Sequence, residues 1–178
     1  MTVFEPTALQ LKLAVEIRIA ESTDIPKLEW YGQFKHFRTL LRRAYREQVQ
    51  GRRVLLVADL NNFPIGQLFI QLQSNNPRIA DGKKRAYLYS FRVMDMFRGQ
   101  GIGTLLIKTA ENMIVDKGFT MMTIAVAKDN HGALRLYQRL GYRKFAEDSG
   151  RWTYTDHLGV IQQMNEPCWI LEKNLILR

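Results

Sequence analysis

The sequence predicts a mixed α/β fold, with one sheet of mixed strand direction and helices on both of its faces. Two observations carry this. Runs with strand and helix periodicity succeed one another as strand, helices, three strands, helix, strand, helix, strands. That alternation needs a sheet covered on two sides. No Pro-, Gly- or Ser-rich stretch long enough to be a linker divides the 178 residues, so one domain over 1–178 is expected.

Val15, Ile17 and Ile19 alternate with polar residues and mark a first strand. Ser22, Thr23 or Asp24 can cap a helix that has Pro26 in its first turn. Leu28, Tyr31, Phe34, Phe37, Leu41 and Tyr45 then recur at spacings of three and four. This is one broken helix or two consecutive amphipathic ones, with Gly32 as the break. Residues 54–59 and 65–73 are strand-like runs separated by the turn signal Asn61-Asn62-Phe63-Pro64, and read as a hairpin. An exposed loop follows over 74–84, then a strand over 87–93. Ile102, Leu105, Leu106, Thr109, Met113 and Lys117 have helical spacing, and Gly118 is a stop. Residues 121–127 form an apolar run suited to a buried strand, and a second helix runs from Asp129 or Asn130 to about Leu140, ended by Gly141. The tail offers strands at 142–147, 151–155 and 168–173.

The net charge of +9 comes in part from Arg38/Arg42/Arg43/Arg46, Arg52/Arg53 and Lys83/Lys84/Arg85. Such an excess attracts anions, but no nucleic-acid-binding motif accompanies it, and no nucleic-acid partner is expected. The single cysteine, Cys168, excludes an intramolecular disulfide and reads as a packing residue. The N-terminus lacks a basic region followed by an apolar one, and no apolar run is long enough to span a bilayer. A soluble, cytoplasmic protein without a membrane partner is expected.

The segment Arg98-Gly99-Gln100-Gly101-Ile102-Gly103-Thr104 lies between a strand and a helix. Glycines there leave backbone N–H groups uncovered, and a helix start adds its own unpaired N–H groups and the positive end of its dipole. Together they make a seat for a pyrophosphate, or, more plainly, a tight turn with no ligand. The spacing G-x-G-x-G is not the dinucleotide fingerprint, and no lysine follows Gly103 to make a P-loop. What fits is Arg-x-x-Gly-x-Gly over Arg98, Gly101 and Gly103. Further on, residues 130–142 read N-x-x-A-x-x-L-Y-x-x-x-G-Y, from Asn130 through Tyr137 to Tyr142.

These two blocks, in this order and about 30 residues apart, resemble the coenzyme A signature and the second conserved block of the GNAT acetyltransferase superfamily. Residues 15–19 with Asp24-Ile25-Pro26, and Cys168 to Leu175, resemble its opening and closing strands. The resemblance implies a central mixed, mostly antiparallel sheet whose fourth and fifth strands splay apart. It implies acetyl-CoA bound at that splay as acyl donor to a primary amine of a small-molecule or protein acceptor. Main-chain groups of Phe91, Arg92 and Val93 would hold the pantetheine arm. Arg98 to Thr104 would form the pyrophosphate loop, Asn130 would bond the cofactor arm, and Tyr137 would place its hydroxyl near the thioester sulfur. No metal is implied, and a homodimer is compatible.

Each role has an alternative. Asn130 is a good N-cap, Tyr137 has core spacing with Leu134 and Leu140, and Arg98 suits a solvated turn. A backbone N–H near Val93, on a bulged strand, is the natural oxyanion donor. The general base has no marked residue, since 87–93 holds no carboxylate. Asp59, Asp81, Asp95, His36 or a water relay are open. That gap leaves a non-catalytic coenzyme A-binding module of the same fold as the competing reading. Trp30, Tyr31, Phe34, Phe37 and Tyr45 would lie near the acceptor or in the core, with 151–157 as the opposite wall.

Overall fold

The computed structural model describes residues 12–176; the N-terminal residues on which the expectation of no leader peptide rests lie outside them. Nine strands and four α-helices follow in chain order among these residues. They are β1 (Glu16–Ile19), α1 (Asp24–Lys27), α2 (Arg38–Val49), β2 (Arg53–Leu60), β3 (Phe63–Gln71), β4 (Arg85–Val93), α3 (Ile102–Asp116), β5 (Met121–Ala127), α4 (His131–Arg139), β6 (Arg143–Asp148), β7 (Arg151–Thr155), β8 (Ile161–Asn165) and β9 (Cys168–Asn174). Short 3₁₀ turns precede α2 (Lys35–Phe37) and α3 (Asp95–Phe97). No helix among the described residues is long and apolar enough to cross a membrane.

Seven strands form one sheet in the order β1-β2-β3-β4-β5-β9-β6, and β7 and β8 form a separate hairpin. Every neighbouring pair is antiparallel except β4 and β5. Those two run parallel only from Arg85↔Met121 to Leu88↔Ile124, although both strands continue beyond. The sheet therefore opens where the resemblance implies, between its fourth and fifth strands.

Side-chain alternation along β2 shows why both faces are covered. Val54, Leu56 and Ala58 pack in the core under α3, whereas Leu55 and Val57 pack with Leu41 and Ala44 of α2. α3 presents Ile102, Leu106, Ile107, Ala110 and Ile114 to the first core, a full helical stripe. On α2 the arginines Arg42, Arg43 and Arg46 are exposed.

Two turns differ in kind. Asn61 and Asn62 both have positive φ (51° and 62°) and close β2 onto β3 as a two-residue hairpin; Asn tolerates that region better than other side chains do. The helical pattern after Pro26 breaks earlier than at Gly32, because Trp30 and Tyr31 are themselves left-handed (φ 42° and 58°). The Trp30 indole donates to the Pro64 carbonyl at 2.8 Å and is buried. That bond fixes the break and leaves Tyr31 outside, stacked on Phe63 at 5.4 Å. The strand β8 is absent from the sequence reading. Its residues Ile161-Gln162-Gln163-Met164-Asn165 bury no complete side, so only pairing with β7 makes them a strand.

Candidate active site

The site grows from a fault in β4. The β3–β4 register slips between Gln67 and Phe69, so Gln67 faces Arg92 while Phe69 faces Tyr89. The extra residue is accommodated at Ser90, whose φ is 50°. Gln67, fully buried, holds it there: its Nε2 donates to the Ser90 carbonyl at 3.0 Å and to Ser90 Oγ at 2.6 Å. Pairing with β5 has ended at Leu88, so residues 90 and 91 lack a regular ladder partner on either side.

The bulge also reverses the faces, since one inserted residue shifts the period-two alternation. Before it, Ala86 and Leu88 lie in the α3 core, while Tyr89 packs toward α2. After it, Phe91 and Val93 join the α3 core. Arg92 turns to the other side, with its guanidinium over the rings of Phe34 and Phe37 at 4.1 and 4.9 Å.

The glycine segment sits on the α3 side. Gly99 and Gly101 have φ of 77° and 85°, and no atom lies within 4 Å of where a Cβ would stand on either. The N–H groups of Gly99, Gln100 and Gly101 meet no acceptor among the described residues. Those of Ile102, Gly103 and Thr104 belong to the first turn of α3, where a helix has no acceptor of its own. Arg98 is not free: its Nε donates to the Val93 carbonyl at 3.0 Å and its Nη2 pairs with Asp95 at 2.8 Å. Gly103 serves packing rather than an open loop. A Cβ there would lie 2.9 Å from Phe91 Cζ. Gly103→Ala is therefore expected to push the Phe91 ring and lower stability by about 1–3 kcal/mol, measured as a reduced urea midpoint; an unchanged midpoint would show that the ring moves freely.

α4 begins where β5 ends. Asn130 caps it, with Oδ1 accepting from the Ala133 N–H at 3.0 Å. About two turns later, Tyr137 is buried between the rings of Phe91 (6.3 Å) and Tyr142 (6.1 Å). Burial, with a smaller contribution from the Tyr87 phenol, pushes its hydroxyl above the usual phenol range. Phe91, Gly103 and Tyr137 thus form one cluster on the α3–α4 side of the opening.

On the opposite side lies a cleft of about 830 Å³. Phe34, Phe37, Tyr87, Tyr89, Ser90 and Arg92 line it from the α2 side and from β4, and Trp152 and Met164 line it from the β7–β8 hairpin. The hairpin is held by Thr39 Oγ1, which donates to the Thr155 carbonyl, and by Tyr154, whose ring lies 5.1 Å from Phe37. The aromatic set therefore divides. Phe34 and Phe37 reach the cleft, Trp30 is core, Tyr31 is exposed, and Tyr45, on α2, packs against the core between α2 and the sheet. Cys168 is buried as expected but also lines the cleft, and burial raises its thiol pKa.

None of the carboxylates named from the sequence lines this cleft. Asp59 is tied to Arg18, Asp81 accepts from the N–H groups of Lys83, Lys84 and Arg85, and Asp95 pairs with Arg98. The carboxylates that do line it are Glu147, Asp148 and Glu166. They come from the end of β6 and the β8–β9 connection, which only the folded chain brings beside β4. Among the described residues, no group of histidines, cysteines and acidic residues is placed to hold a metal.

A model of the acetyltransferase (GNAT) family matches residues 19–142. The thialysine N-epsilon-acetyltransferase of Mus musculus is 37% identical over 67 residues, which are 38% of this chain and 39% of that protein. The chain thus spans about 39% of the length of the curated relatives it matches first. Among solved structures, the ribosomal-protein-S18-alanine N-acetyltransferase of Escherichia coli superposes with a TM-score of 0.69 at 17% identity, over 93% of this chain and 96% of that one. A PaiA N-acetyltransferase of Thermoplasma acidophilum in complex with coenzyme A gives 0.66 at 17% identity, over 91% and 99%. At such identities the likeness is one of fold.

Proposed function

Because the chain belongs to the GNAT family of acetyltransferases, we propose that it transfers an acetyl group from acetyl-CoA to a primary amine of a small-molecule or protein acceptor, by direct attack in a ternary complex. The observation that carries this reading is the run of unpaired N–H groups from Gly99 to the first turn of α3, set beside the bulge at Ser90 and the buried hydroxyl of Tyr137.

The chain's residues fit the donor. A pyrophosphate needs several convergent N–H groups and room to approach them. Gly99 and Gly101 leave that room, since their Cβ positions face open space. Arg98, held by Val93 and Asp95, adds a positive charge at the rim. Asn130 lies at the start of α4, and the main chain of Phe91, Arg92 and Val93 borders the opening, in reach of an extended arm. Acetyl-CoA, when bound, supplies the activated thioester.

The remaining roles belong to the protein. The main chain at the bulge, without regular ladder partners, has an N–H to stabilise negative charge developing on the carbonyl oxygen. Tyr137 keeps its proton through the neutral range, because burial raises its pKa, so its hydroxyl can donate to the departing sulfur. The amine enters from the cleft. Its proton leaves toward the acidic rim of Glu147, Asp148 and Glu166, through water. Holding the amine against the carbonyl carbon is itself a large part of the acceleration. Isothermal titration is expected to show acetyl-CoA binding at sub-millimolar concentration, and an amine panel is expected to release free thiol. Absence of binding would sink the reading, and binding without thiol release would leave a coenzyme A-binding module.

A further inference from the structure

Arg92 lines the cleft, and the proposed reaction does not explain its state. Its Nη1 is buried without a hydrogen-bond partner, and it forms no ion pair or hydrogen bond among the described residues. Its contacts are the faces of Phe34 and Phe37. Desolvation pushes its pKa down to about 10, so it remains cationic at neutral pH. A guanidinium largely shielded from water normally has a carboxylate fork opposite it; of the other cleft arginines, Arg78 and Arg151 are exposed to solvent, and the two beside Tyr89 have partners. Arg43 and Arg53 share Glu47, and Arg53 also donates to the Tyr89 hydroxyl. The acidic groups of the cleft do not supply the missing partner. Glu147 pairs with Lys128, Asp148 accepts from the Gly150 N–H, and Glu166 is exposed without an ion pair.

An anion bound by Arg92 would be distinct from the pyrophosphate proposed above. The unpaired N–H groups of residues 99–104 belong to the α3 side, and the bulge has turned Arg92 away from Phe91 and Val93 toward α2. It points into the space left for the acceptor. Two aromatic faces hold the guanidinium plane in place, which limits the entropy lost when a planar bidentate partner docks. A carboxylate is planar and matches that fork.

We propose that the acceptor is a small amine bearing a carboxylate, an amino-acid-like molecule, and that Arg92 binds that carboxylate. Resting on the acetyl-transfer reading, this names the substrate class. The carboxylate meets the N–H edge of the guanidinium that borders the cleft, while the aromatic pair covers the guanidinium face. The amino group lies toward the opening between β4 and β5, and the acidic rim favours that end of a zwitterion.

The test has a binding arm and a turnover arm. In the first, N-acetylglycine and its carboxamide are titrated into the coenzyme A-loaded protein by calorimetry. The carboxylate is expected to bind at least about tenfold more tightly than the carboxamide, the size of a lost charge-assisted hydrogen bond. Arg92→Gln is expected to abolish the difference and Arg92→Lys to restore part of it, with circular dichroism confirming that both variants fold. Equal affinity of the two probes, or a preference that survives in Arg92→Gln, overturns the inference whatever the turnover results. In the second arm, glycine, alanine and lysine are compared with their carboxamides by thiol release. The preference is expected in KM for the acceptor and to vanish in Arg92→Gln. Release at equal rates from each pair keeps acetyl transfer and overturns the carboxylate assignment.

Discussion

Tyr137→Phe is expected to lower kcat by roughly 10²–10⁴-fold, the range for loss of a positioned acid, with coenzyme A affinity almost unchanged. The substitution is a clean probe because the ring has a second task. It packs between Phe91 and Tyr142 in the α3 core, and phenylalanine keeps that packing while deleting only the hydroxyl. A stability loss and a catalytic loss can therefore be separated. The variant should melt near the parent, and calorimetry should give a similar affinity for coenzyme A. The sign of the pKa shift matters too. Burial and the neighbouring Tyr87 phenol raise the Tyr137 pKa, so the donor form persists across neutral pH. Any alkaline loss of activity owed to this group begins above about pH 10, the unperturbed phenol value. A kcat within threefold of the parent would reduce Tyr137 to a core residue.

What the sequence disclosed, and what it did not, follows the range of the interactions. Local patterns were legible. The alternation in β2 and β3, the apolar stripe of α3, the Asn-Asn turn and the cap at Asn130 depend on residues a few positions apart. The two motif blocks were legible because their spacing is local too. A bulge near Val93 was expected, but its position at Ser90 and its lock were not. Nothing in the local pattern marks Gln67 as buried, yet it is fully buried and bonded to Ser90, 23 residues away. The reversal that sends Arg92 toward α2 follows from that single inserted residue. The carboxylates of the cleft stayed hidden for a similar reason. Glu147, Asp148 and Glu166 face Tyr87 and Tyr89 only because β6 crosses to the far side of β9 and the β7–β8 hairpin folds back over α2.

Arg18→Ala is expected to be the most destabilising exchange outside the hydrophobic core, at about 3–5 kcal/mol near pH 7. Arg18 on β1 spans two carboxylates. Its Nη1 and Nη2 donate to Asp24 at 2.6 and 2.9 Å, and its Nε donates to Asp59 at 2.8 Å. The Asp24 side chain is 0% exposed and that of Asp59 11%, so removing the guanidinium strands charge in a place water does not reach. A loss of that size is a large part of the about 5–15 kcal/mol that holds a domain folded. The pH dependence separates this from mere loss of packing. In the parent, burial alone would raise the Asp24 pKa, but the hydrogen bonds from Arg18 and the Glu21 N–H outweigh it and hold the carboxyl below its usual range. With its folded pKa depressed, Asp24 stabilises the parent above the unfolded value near ~4 and loses that contribution as pH falls through the folded one. In Arg18→Ala the burial acts unopposed, and the folded pKa should rise above the unfolded one. The stability gap between parent and variant should therefore be widest at neutral pH and shrink as pH falls toward about 4. Urea unfolding at pH 7, 5.5 and 4 measures it, and a gap independent of pH would mean that Arg18 acts through its aliphatic stem alone. By contrast Arg43→Ala removes a partner of Glu47 whose side chain is 65% exposed, and less than about 1 kcal/mol is expected there. The difference between the two arginines lies in what the stranded carboxylate keeps: Glu47 retains Arg53 as its ion-pair partner, whereas Asp24 and Asp59 have only Arg18 among the described residues.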